Sequence, residues 1–148
     1  MDVISVVDAI PNSHSDETNQ DSEPSIAVSS QNPDEIVITA FTPPDSGQTN
    51  SPIFYSVDGG ATWQLNFDVP FGSAGGAALQ TPRDQSVGFA AESPELFGAF
   101  LRVDNGDMKV FRTSDPTAPG TLPTFDSRSH IDQPWVEARK VVGGSDDG

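Results

Sequence analysis

An all-β fold is predicted by three features of this 148-residue chain. Short runs alternate apolar and polar residues with a period of two, turn-forming clusters separate the runs, and no stretch of useful length has helical periodicity. Thirteen Gly and thirteen Pro, with many Ser, Asp and Thr, supply the turns. The length suits one domain with room for a core.

The elements follow in order. "PSIAVSS" (24–30) places Ile26 and Val28 on one face, and "QNPD" turns the chain. "EIVITAF" (35–41) sets Ile36, Ile38 and Ala40 against Val37, Thr39 and Phe41, the pattern of a strand buried on both faces. After the loop "TPPDSGQTNS", a third strand is "PIFYSV" (52–57). "DGGA" then turns into "TWQLNFDV" (62–69), where Trp63, Leu65, Phe67 and Val69 alternate with polar residues. Four such strands in meander order make one small antiparallel sheet.

The pattern then restarts. "RDQSVGF" (83–89), "ELFGAFLRV" (95–103) and "DMKVFRTS" (107–114) repeat the first three strands, with the Asn-Gly of "VDNGD" as a hairpin turn. "IDQPWVEARKVV" (131–142) begins a third copy. The strand starts align Glu23 with Asp84 and Gln133, and Ile26 with Val87 and Val136. Self-similarity every 50 to 60 residues or so, with four antiparallel strands per unit, is the signature of a β-propeller blade. A β-sandwich also uses short, closely spaced strands but does not require such repetition. The division is a polar N-terminal segment over 1–20, a first blade over 21–81, a second over 82–129 and the start of a third over 130–148.

"SVDGGATW" between the third and fourth strands is more ordered than a turn requires. It resembles the Asp-box, or BNR repeat, of sialidase-like β-propellers, and matches at Ser56, Asp58, Gly60, Thr62 and Trp63. Asp58 is suited to accept hydrogen bonds from the turn's own N–H and hydroxyl groups, and Gly60 to a conformation few other residues adopt. The resemblance implies a structural hairpin on the rim away from the ligand, not a catalytic or calcium-binding Asp58. A degenerate second box reads at "FRTSDPTA", where aligning Tyr55 with Phe111 puts Arg112, Ser114 and Pro116 at the places of Ser56, Asp58 and Gly60.

From about Asn19 onward the chain is similar to bacterial proteins labelled exo-α-sialidase or BNR-repeat proteins. Sialidases carry an Arg-Ile-Pro motif at the first strand, whose arginine helps to hold the substrate carboxylate. Here Pro24 matches the proline, while Ser22 and Glu23 stand at the other two places. Ser and Glu cannot form a bidentate carboxylate clamp.

The resemblance places ligands where inner strands begin around a central channel. The candidates are Asp21 and Glu23 from the first copy, Arg83, Asp84 and Gln85 from the second, and His130, Asp132, Gln133 and Trp135 from the third. Carboxylates and amides suit sugar hydroxyls, and Trp135 suits a sugar face. Glu23, Asp84 and Asp132 could also form a glycosidase carboxylate pair, or the cluster could simply satisfy backbone groups. Three functions follow: glycan or other extracellular recognition, glycoside hydrolysis, or a structural adhesion or assembly module.

Composition narrows the partners. Seven Lys and Arg against 22 Asp and Glu give a formal charge of -15, which argues against nucleic acid and anionic membranes. There is no Cys, hence no disulfide or thiolate metal site. His14 lies in the polar leader and His130 has no second His at ligand spacing. "VDNGD" and "GSDDG" are acidic loops that offer oxygen ligands to calcium, but neither has EF-hand spacing. No transmembrane stretch is present, and "MDVISVVDAI" lacks the basic start of a signal peptide. Secretion or cell-surface display is expected, with any leader already removed. The sequence stops after one strand of the third copy, so a six-bladed ring is expected to be completed by a separate or cleaved polypeptide. "QPWVEARKVV" should then be an inner strand needing a neighbour.

Overall fold

The computed structural model describes residues 4–10, 24–40, 50–70, 82–102, 108–118, 120–121, 126–128 and 132–139. Among these residues there are strands and turns but no helix, and so no helix long and apolar enough to cross a membrane. The first sheet runs β1 (Ser25–Val28), β2 (Ile36–Thr39), β3 (Asn50–Ser56) and β4 (Gln64–Pro70), each antiparallel to the next. The second runs β5 (Pro82–Phe89), β6 (Leu96–Arg102) and β7 (Met108–Thr113) in the same meander order.

Two short strands were not legible in the sequence. β8 (Gly120–Thr121) crosses back to lie parallel on β4, with Phe67 opposite Gly120. β9 (Asp126–Arg128) returns to complete the second sheet on β7. Two or three residues are too few for alternation to show.

The sheets pack face to face, with β1 against β5. Ala27, Val37, Ile53 and Tyr55 of the first sheet meet Val87, Leu96, Phe100 and Phe111 of the second in one apolar cluster. Equivalent turns lead into it: Ser29 N–H donates to the Glu35 carbonyl at 3.0 Å, and Ala90 N–H to the Glu95 carbonyl at 2.9 Å. Ladder register then fixes the correspondence. Ile36 pairs with Ser56 and Leu96 with Thr113, so Phe54 matches Phe111 and Ser56 matches Thr113. The alignment of Tyr55 with Phe111 is therefore one residue out. Phe54 and Tyr55 are adjacent, aromatic and both buried, so only the ladder distinguishes the face each serves.

Matched positions serve opposite roles. Val87, matched to Ile26, packs against the first sheet, whereas Ile26 and Val28 point away from the second and are 61% and 50% exposed. That outer side of the first sheet is partly covered from an unexpected source. Ile10, in the segment read as polar, is buried against Ala40 and Phe54, with Ile38 and Trp63 beside it.

Candidate functional site

The turn over 57–63 joins β3 to β4. The Thr62 N–H and hydroxyl donate to Asp58 Oδ1 and Oδ2 at 2.8 and 2.6 Å, and the Ser56 hydroxyl donates to Oδ1 at 2.9 Å. Ser56 Oγ also accepts the Gly60 N–H at 2.9 Å. Gly59 and Gly60 have φ of 70° and 87°, the left-handed region in which a side chain is strained. The Trp63 indole N–H closes the turn on the Gly60 carbonyl at 3.0 Å, and the Gly59 N–H ties it to the Asp34 carbonyl at 3.1 Å. Bonds from the Thr62 hydroxyl, the Thr62 N–H and the Ser56 hydroxyl hold the Asp58 carboxyl below the usual carboxylate range. Asp58 thus spends its acceptors on its own turn.

The second sheet repeats this arrangement in fewer residues. The Asp115 N–H donates to Thr113 Oγ1 at 3.1 Å, as the Asp58 N–H does to Ser56 Oγ at 3.3 Å. Asp115 Oδ1 accepts the Thr117 N–H at 3.1 Å and the Thr117 hydroxyl at 2.6 Å. The Thr117 hydroxyl and N–H lower the Asp115 carboxyl below its ordinary range in turn. The roles of Ser56, Asp58 and Thr62 fall on Thr113, Asp115 and Thr117, not on Arg112 and Ser114. Sequence alignment without gaps could not find this, because the second turn lacks the glycine pair and is two residues shorter.

The start of β1 lies at the other end of the first sheet. Ser25 pairs with Thr39 there, while Val28 pairs with Ile36, which in turn pairs with Ser56 at the start of the turn. Three residues of strand, about 10 Å, separate the two ends. At the Ser25 end is a cavity of about 270 Å³. It is lined by Pro24, Ser25, Asp84, Gln85, Ser86, Gln133, Pro134 and Trp135, the last 87% exposed.

Two matched bonds organise this cavity. The Val87 N–H of β5 donates to Ser25 Oγ of β1 at 3.1 Å. The Val136 N–H donates to Ser86 Oγ of β5, also at 3.1 Å. Ser25 and Ser86 are matched positions, as are Val87 and Val136, so residues 134–136 stand on the second sheet as the second stands on the first. Gln133 has φ of 51°, a strained turn before Pro134 that buries the proline and leaves Trp135 outside.

Of the sequence candidates, Asp84, Gln85, Gln133 and Trp135 come together here. Gln85 is partly committed, since its Nε2 donates to the Ala40 carbonyl at 3.0 Å. Asp132 is exposed and does not line the cavity. Arg83 belongs to β5, but its side chain lies outside the described residues, as do Asp21, Ser22, Glu23 and His130 entirely. The missed contributors are Pro24, Ser25, Ser86 and Pro134, residue types that carry no chemical signal in a sequence.

Residues 132–139 were expected to form an inner strand. They instead run along β5 with one isolated parallel bridge, Ala91 to Arg139, and with the Ala91 N–H to Ala138 carbonyl bond at 3.4 Å. Pro134 has no N–H to donate and Gln133 is not extended, so no ladder forms there. Val141 and the acidic loops "VDNGD" and "GSDDG" lie outside the described residues. Among the described residues no cluster of three or more His, Cys, Asp or Glu side chains is placed to hold a metal ion. Compared with family models, curated proteins and solved structures, the chain matches none of the three.

Proposed function

We propose that this chain is part of a sialidase-like, Asp-box β-propeller, secreted or displayed at the cell surface, and that it recognises a neutral glycan where its inner strands begin. The observation that carries the reading is the cavity that an exposed indole, Trp135, lines together with Asp84 and Gln133. An indole face takes the C–H face of a sugar ring, and a carboxylate with an amide takes its hydroxyls. The described wall has one carboxylate and no cation, and the chain is strongly acidic, so an uncharged sugar is favoured over a sialic acid. The propeller reading draws support from the repeated Ser-to-N–H bond and from the two Asp turns. Export rests on the family resemblance alone.

Hydrolysis of the retaining kind needs a second carboxyl group across the bond, about 5 Å from the first, and Asp84 is the one carboxylate on the described wall. Recognition is therefore placed ahead of hydrolysis. Isothermal titration with neutral oligosaccharides and with a sialoside tests it. A neutral sugar should bind in the millimolar range or tighter, and Trp135→Ala should weaken it at least about tenfold without unfolding a side chain that is already exposed. A panel with no binder, or binding that Trp135→Ala leaves unchanged, returns the chain to a structural adhesion or assembly module.

A further inference from the structure

The turn between β3 and β4 holds a chemically fragile pair of residues. Gly59 has φ of 70°, and a Cβ there would come 3.4 Å from Asp34 Oδ1, so the backbone calls for glycine directly after Asp58. That need carries a liability. A glycine amide has no side chain to shield its nitrogen, and the preceding aspartate has its carboxyl carbon at the distance along the chain that closes a five-membered ring. In that closure the Gly59 nitrogen attacks Asp58 Cγ, and the amide proton leaves with the carboxyl hydroxyl as one water. A second water then opens the succinimide at the former Asp58 carbonyl carbon. The mass is restored, and the main chain runs through Cγ as isoaspartate.

The fold ties down both reacting groups. The Gly59 N–H is committed to the Asp34 carbonyl at 3.1 Å. The Asp58 carboxylate is held by the Thr62 N–H at 2.8 Å, the Thr62 hydroxyl at 2.6 Å and the Ser56 hydroxyl at 2.9 Å, bonds it must give up to reach the nitrogen. Closure also needs the neutral acid, whose hydroxyl is the leaving group, and the same bonds keep Asp58 ionised. The second turn carries no such liability. Asp115 is followed by Pro116, which has no amide proton to lose.

We infer that the Asp58-Gly59 bond is a latent isoaspartate site, shut by the hydrogen bonds of its own turn and opened where the bonds to Thr62 are lost. The change runs one way. In isoaspartate the free carboxylate sits directly on Cα, one carbon short of its former reach, and the main chain has gained a methylene between residues 58 and 59. The bonds to Thr62 are not remade, so a turn that has once reacted stays open. The inference does not depend on the sugar reading, whose residues lie at the other end of the sheet, and the two fail separately.

The test is prolonged incubation of the full chain at mildly acidic pH. Digestion follows with an endoprotease that cuts before aspartyl but not isoaspartyl residues, with mass spectrometry of the peptides around residue 58. Asn105-Gly106 and Asp147-Gly148 offer the same ring closure and lie outside the described residues, so each site is read separately. A synthetic peptide of residues 54–65 supplies the unrestrained rate. Residue 58 of the folded chain should react at least about a hundredfold more slowly than in the peptide. Thr62→Val keeps the backbone N–H but removes the hydroxyl, and should raise the rate about tenfold, the worth of one charge-assisted bond. Val87→Ala, in the core between the sheets, should leave the rate unchanged although it lowers overall stability. Equal rates in chain and peptide overturn the inference, as does a Thr62→Val rate no higher than that of the unaltered chain. A rise with Val87→Ala equal to that with Thr62→Val also overturns it, since global unfolding and not the turn would then govern the reaction.

Discussion

The two sheets share a strand plan and differ in what stands opposite the buried phenylalanine. In the first, Phe54 pairs with Ile38, and in the second Phe111 pairs with Gly98. A Cβ at Gly98 would fall within the Phe111 ring, so the ring lies over bare backbone there. A similar layer is thus filled once by two side chains and once by one ring over a glycine. The lesson is that repeated units can keep their geometry while exchanging volume across a ladder, which hides the repeat from residue-by-residue alignment.

That contrast can be broken most severely at Gly98. Gly98→Val should destabilise the protein by about 2–3 kcal/mol, since the ring must leave a packed core to make room. The matched change in the first sheet, Ile38→Val, should cost about 0.5–1.5 kcal/mol, the loss of one methylene. Chemical denaturation of both variants checks the pair, and equal costs would show that the two sheets do not fill this layer differently.

The turns offer a smaller test. Ser56 is buried, and its hydroxyl both accepts the Gly60 N–H and donates to Asp58, whereas Thr113 accepts a single N–H from Asp115. Ser56→Ala should lower stability by about 1–2 kcal/mol and Thr113→Ala by about half as much. The two midpoints in urea rank these turns directly, and a larger loss at Thr113 would reverse the ranking.

The smallest effect is expected at Tyr55, matched in the second sheet by the exposed Arg112. Burial, and then the nearby Glu35 carboxylate, push the Tyr55 phenol up to about 12 from 10.0. Its buried hydroxyl has no hydrogen-bond partner of good geometry, although Glu35 is close enough to oppose the phenolate. Because the folded protein disfavours the charged form, this contribution is complete below pH 10 and is lost as the pH rises from 10 to about 12. Tyr55→Phe should leave stability at neutral pH within about 0.5 kcal/mol. It should also flatten the alkaline fall measured by thermal unfolding across that range, and an unchanged alkaline limb would assign the fall to another group.

The strands with four or more residues were legible because alternation is a local property. The turn over 56–63 was legible because its five marked positions lie within eight residues and each has a stereochemical reason. The second turn was half legible: its place was, but its acceptor is Asp115 and not the aligned Ser114. Of the candidate site, Asp84, Gln85, Gln133 and Trp135 were named from strand starts together with the family resemblance that places ligands there. The serines lining the cavity, Ser25 and Ser86, were not, because a serine that accepts one N–H from a residue 50 or 62 positions away leaves no local trace.

The sequence by itself determined the all-β class, the meander order and the place of the first Asp turn, because period-two alternation and turn stereochemistry act within a few residues. Tertiary structure alone decided which face of each sheet is buried. Ile26 and Val87 are both β-branched and sit at matched positions, yet one is exposed and the other lies in the core. Burial belongs to the pair of surfaces that meet, and a strand carrying apolar residues on both faces does not specify which neighbour will cover each one.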